Sequence, residues 1–100
     1  MKRQSKRVGR MTQANYKVLI DKKCLKDLEK IPEPFRHAID EKVKALTNNP
    51  RPEGYIKLKG STKDPLYRIR CGDYRIVYTI KDDVLVVIVI EIGHRREIYR

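Results

Sequence analysis

The chain has 100 residues, 40% of them hydrophobic and 37% charged, which suits one small domain with a modest core and little stability to spare. Its 24 Lys and Arg against 13 Asp and Glu give a formal net charge of +11. That excess points to a polyanionic partner, nucleic acid or the ribosome, because each cation set against a phosphate releases condensed counterions.

The same composition excludes several classes. Cys24 and Cys71 make neither a disulfide framework nor a metal set. Each lies in an apolar pattern, so buried free thiols and a reducing cytoplasm are expected. The most apolar run, Val84 to Ile90, is too short to span a bilayer, and the basic N-terminus lacks a signal peptide's apolar core. With no Gly-rich phosphate loop, metal-ligand cluster or catalytic pair of carboxylates to read, neither a metal nor a small-molecule cofactor is expected.

Residues 1–15 hold Lys2, Arg3, Lys6, Arg7 and Arg10 and no acidic residue, which predicts a mobile basic arm ahead of a domain over 16–100. Met11 offers an alternative translation start. The domain keeps 19 basic against 13 acidic residues, or +6. Tyr16 to Ile20 reads as a first strand, and Asp21 as the N-cap of a helix with Cys24, Leu28 and Ile31 at i, i+4, i+7 and Leu25 beside them. Pro32 and Pro34 break that helix. A second starts near Pro34 with Phe35, Ala38, Ile39, Val43 and Leu46 on its apolar face, and stops at Asn48-Asn49-Pro50. Together they predict a helical hairpin with one apolar face.

The second half reads as β. Ile56 to Gly60 is a short extended piece. In Leu66 to Cys71, Tyr67, Ile69 and Cys71 face one way and Arg68 and Arg70 the other. Gly72-Asp73 turns the chain into a return strand, Tyr74 to Lys81, and Asp82-Asp83 turns it again. Val84 to Ile92 is apolar on both faces and is expected to be the central strand. The fold class is therefore α+β: an N-terminal strand, then a helical hairpin packed on a small antiparallel meander, with basic side chains on the opposite sheet face.

Three strings carry a resemblance: Tyr67-Arg68-Ile69-Arg70, Gly72-Asp73-Tyr74-Arg75-Ile76-Val77-Tyr78 and Gly93-His94-Arg95-Arg96-Glu97-Ile98-Tyr99. With Leu58-Lys59-Gly60 ahead of them, their order after a helical hairpin resembles the RelE/ParE toxin superfamily over roughly residues 16 to 100. The resemblance implies a ribosome-dependent mRNA endonuclease that cuts in the ribosomal A site by 2′-OH attack, needs no metal, and is neutralised by a RelB-like antitoxin. It also implies the site residues: Arg68, Arg70, Arg75, Arg95 and Tyr99. Guanidinium groups suit that chemistry, since negative charge builds on the phosphate in the transition state.

One departure matters. The family's best-known nuclease carries lysines where this chain has Arg68 and Arg70, and arginine stays charged at any relevant pH. The general base is then expected at Tyr99, with His94 second. Both Arg75 and Arg95 are expected at the surface of a cleft. Lys57, Lys59, Lys63 and Arg96 are expected to contact RNA phosphates, and His37 to be solvated behind the cleft. Tyr67, Tyr74 and Tyr78 are expected to pack in the core or at an edge rather than stack on bases. The alternative function is that of a ParE-like poison of DNA gyrase without nuclease activity, since the superfamily shares one fold.

Overall fold

The Asp21 carboxylate accepts the backbone N–H of Lys23 at 2.9 Å and so opens the first helix. The computed structural model describes residues 15–59 and 63–94. Within them the elements run β1 (Lys17–Ile20), α1 (Lys22–Glu29), α2 (Glu33–Ala45), β2 (Ile56–Lys57), β3 (Tyr67–Cys71), β4 (Tyr74–Lys81) and β5 (Val86–His94). Pro32 caps α2, and Pro34 sits in its first turn, where no backbone N–H is needed.

The five strands form one sheet in the order β1-β5-β4-β3-β2. β2 to β5 pair antiparallel, as a meander should. β1 pairs parallel to β5, with Val18 opposite Val87 and Ile20 opposite Val89. A parallel pair needs a long crossover, and the helical hairpin with the first meander strands supplies it. The sheet is therefore mixed, and its middle strand is β4, not the Val84–Ile92 run. β1 covers the outer edge of β5, so that run is an interior strand one place from the middle. Val84 and Leu85 also leave the strand for the turn, where Leu85 adopts φ 55° and both side chains are exposed.

One sheet face carries the core. Ile76, Tyr78, Val87, Val89 and Ile92 meet Cys24, Leu28 and Ile31 from the first helix and its exit, and Ile39, Val43 and Leu46 from the second. Each such aliphatic side chain contributes about 1.5–3 kcal/mol when fully buried. The periodic faces hold with three exceptions: Leu25, Phe35 and Ala38 are exposed. Phe35, 53% exposed, lies at the hairpin's rim with its ring 5.8 Å from that of Tyr74. Both cysteines are free; Cys24 is buried and Cys71 only half-buried, because Cys71 ends β3 at the turn. Burial pushes the Cys24 thiol up to about 11. Tyr78 is fully buried, and its hydroxyl donates to the Pro50 carbonyl at 2.7 Å.

Candidate active site

The hairpin turn sets the site. Gly72 takes φ 63° at the first central position of a two-residue loop, so Cys71 pairs with Tyr74 and Arg70 falls opposite Arg75. The face away from the helices then reads in rows. One row is Arg70, Arg75 and Gly93 across β3, β4 and β5. The next is Ile56, Arg68, Val77 and Glu91 across β2 to β5. Beyond it Thr79 faces Ile88, which faces Leu19. Between these rows the register slips at Val77/Tyr78, and Ile90 is the extra residue of a bulge in β5.

Three predicted arginines thus share one face over two adjacent strands, but not one environment. Arg70 is exposed. Arg68 and Arg75 are buried, at 7% and 3% exposure, and both engage other groups. This corrects the expectation of Arg75 on a cleft surface. A residue in the middle strand of a sheet is flanked on both sides, and its long stem packs there whatever its head does. Gly93 beside Arg75 adds no side chain from β5.

The loop between β2 and β3 walls one end of this face. Thr79 Oγ1 donates to the Pro65 carbonyl at 2.8 Å, and Lys81 pairs with Asp64 at 2.7 Å. Residues 64 and 65 therefore lie over the far end of β4. Lys63 precedes this strap and is exposed, as is Lys59. Lys57 pairs with Tyr67, so strand alternation turns it to the helix side, away from the arginine rows.

His94 lies on the helix side too. It pairs with Tyr74, and the two rings meet edge-on at 5.5 Å. With Asp27, Lys30 and Ile31 they line a cavity of about 290 Å³ behind the sheet. The structure therefore separates His94 from Arg75 by the thickness of a strand. His37 is exposed on α2, on that helix side of the sheet. Arg95, Arg96 and Tyr99 lie outside the described residues. No group of three His, Cys, Asp or Glu side chains with metal-binding geometry occurs among the described residues, and no helix there is long and apolar enough to cross a membrane.

Residues 18–99 match the family described as the ParE toxin of the type II toxin-antitoxin system parDE. The chain belongs to the RelE/ParE toxin superfamily. Within it the curated relatives carry RelE names. The chain is 37% identical to "Toxin RelE" of Mycobacterium tuberculosis, over 85% of this chain and 87% of that one. It is 31% identical to "mRNA interferase toxin RelE" of Escherichia coli K12, over 84% and 90%. Among solved structures it resembles the archaeal RelE-RelB complex from Pyrococcus horikoshii OT3, with TM-score 0.72 and 31% identity over 81% of this chain and 96% of that one. It is a RelE-type toxin with the α+β architecture expected from its sequence.

Sequence reasoning passed over two features. Glu91 stands in the Arg68 row; the signal was a lone charge in the run from Val86 to Ile92, two places before Gly93. The other is a clasp outside the site. Arg51 donates to both carboxylate oxygens of Asp82 at 3.3 and 2.8 Å, and Tyr16 donates to the same group at 2.7 Å. These bonds, Arg51's first, hold the Asp82 carboxyl below the usual range.

Proposed function

We propose that this toxin is an endoribonuclease that cleaves mRNA on the ribosome and is silenced by a RelB-like antitoxin. The observation that carries this reading is the pair of rows on the sheet face away from the helices, with Arg70 opposite Arg75 and Arg68 one row on. A protein that only docks on another protein has no need of three guanidinium groups gathered on a strand hairpin.

The chemistry follows from their position. A guanidinium fork grips a phosphate through two parallel N–H donors and holds it in one orientation. Arg68 and Arg75, fixed by burial, are preorganised and need no rearrangement as charge grows on the phosphate oxygens. Arg70, exposed, is able to follow the RNA strand. Arg95 adds a further cation, and Tyr99 a ring for stacking or a phenol for proton transfer. The 2′-oxygen attacks the adjacent phosphorus, the bond to the 5′-oxygen breaks, and the products are a 2′,3′-cyclic phosphate and a 5′-OH. In so small a domain the ribosome supplies the placement of the scissile nucleotides. Lys59, Lys63 and Arg96 add attraction for phosphates at its margin, and cytoplasmic location follows from the substrate. An acidic, amphipathic or extended segment suits the antitoxin, given the +6 of residues 16–100.

The family description names ParE, so gyrase poisoning is the competing reading. Purified toxin added to ribosomes programmed with a defined mRNA decides between them. Cut mRNA with cyclic-phosphate ends is the expected result. Intact mRNA together with a supercoiling defect overturns the nuclease in favour of the gyrase poison.

A further inference from the structure

Cleavage by 2′-OH attack needs a group that takes the hydroxyl proton, and the arginines of this face cannot. Arginine remains protonated at any relevant pH, so Arg68, Arg70 and Arg75 stabilise charge but accept nothing. His94 is turned to the helix side by its pairing with Tyr74. Val77, Thr79, Ile88 and Gly93 bring no base.

Glu91 differs from all of these. It pairs with Val77 in the Arg68 row and sits diagonal to Arg75, whose partner is Gly93. Strand spacing puts it about 10 Å from Arg68, two strands away, and diagonal neighbours on adjacent strands lie about 7–8 Å apart. A phosphate held by the guanidinium groups, with the neighbouring ribose towards β5, would span that distance. The bulge at Ile90 directly precedes Glu91, and bulges commonly re-aim a side chain beside an active site. Glu91 is exposed and enters none of the ion pairs found among the described residues. Among the described strand residues it is the one acidic side chain on this face. Asp64, at the strap, is held by Lys81.

We propose that Glu91 is the general base of the cleavage reaction, accepting the 2′-hydroxyl proton of the nucleotide whose phosphate the arginines hold. A carboxylate oxygen of Glu91 takes the proton as the 2′-oxygen bonds to phosphorus. The phosphorus–O5′ bond breaks, and the departing 5′-oxygen takes a proton from water. Glu91 then returns its proton to solvent. Tyr99 is left with stacking. The proposal rests on the nuclease reading, and one experiment tells their failures apart.

Single-turnover cleavage of mRNA on programmed ribosomes, at saturating toxin, is compared for wild type, Glu91→Gln and Glu91→Asp, alongside ribosome binding and thermal unfolding. Glu91→Gln should bind ribosomes and unfold as wild type does, yet cut about 10²-fold or more slowly, the scale of a lost general base. Glu91→Asp, which keeps the carboxylate on a shorter stem, should fall between. A Gln variant that cuts at the wild-type rate or faster at saturation overturns Glu91 as the base and leaves the nuclease reading intact. A wild type that leaves ribosome-bound mRNA uncut overturns both.

Discussion

Arg70 and Arg75 face each other across one hairpin and yet should respond differently to truncation. On the proposed function both hold phosphate, so Arg70→Ala and Arg75→Ala should each slow cleavage by roughly 10²-fold, as for one lost transition-state donor. Their stabilities should part. Arg70 is exposed, and its loss should leave the unfolding midpoint where it is. Arg75 is 3% exposed and engaged by neighbours, so alanine removes packed methylenes and strands polar partners. About 1–3 kcal/mol of destabilisation is expected from that kind of loss. Denaturant unfolding of the two variants beside wild type checks it; equal midpoints would mean that Arg75's burial contributes nothing. Alternation in Tyr67-Arg68-Ile69-Arg70 made the shared face legible in the sequence. Burial was not legible, because it depends on which strand is central and on the strap over Thr79, both set by long-range pairing. For the same reason Glu91 read as an isolated charge until register set it beside the arginines.

At the scale of elements, local signals placed most of the chain. Asp21 capped its helix, Gly72-Asp73 made its turn, and the strand from Tyr74 to Lys81 has the bounds its alternation predicts. What failed was the order of strands, since nothing local in Lys17–Ile20 tells whether it pairs with the first or the last meander strand. The clasp of Tyr16, Arg51 and Asp82 helps to hold that arrangement. It ties the entry to β1 and the loop after α2 to the β4–β5 turn. Asp82 has a folded pKa below its unfolded one. Its contribution is therefore present above the unfolded value, near 4, and is lost as the pH falls through the lower folded value. The Tyr16 phenol is raised, chiefly by its bond to Asp82, so its share persists up to the unfolded value near 10 and is lost as the pH rises through the folded one. The Asp82 side chain is half exposed, and solvent screening limits the effect to about 1 kcal/mol or less. Asp82→Asn should be less stable than wild type by that amount at pH 7, with the gap narrowing as the pH falls below the ordinary carboxyl value and closing below the lowered folded one. A gap that persists in acid would show that the clasp acts by shape and not by charge.

The whole molecule is a small sheet with unlike faces, one closed by helices and one carrying the arginines, within a chain of net charge +11. Five of those charges lie in residues 1–15, all of them Lys or Arg with no acid among them. The buried core cluster runs from Cys24 to Ile92 and is retained whole when residues 1–15 are removed, which should leave a folded toxin. We propose that this segment contributes affinity and not chemistry. Each phosphate contact it makes adds about 0.7–0.9 to the slope of log affinity against log salt. If all five cations reach ribosomal phosphates, a chain starting at Tyr16 should bind ribosomes with a slope shallower by up to about 4. The two chains should converge in affinity at high salt, where counterion release no longer favours the longer one. Single-turnover cleavage by the shortened chain at saturation should match the full chain, because Arg68, Arg70, Arg75 and Glu91 are all retained. Binding titrations across a salt series, paired with that rate, separate the outcomes. An unchanged slope would mean that the segment meets no phosphates, and a slower rate at saturation would place it in the chemistry after all.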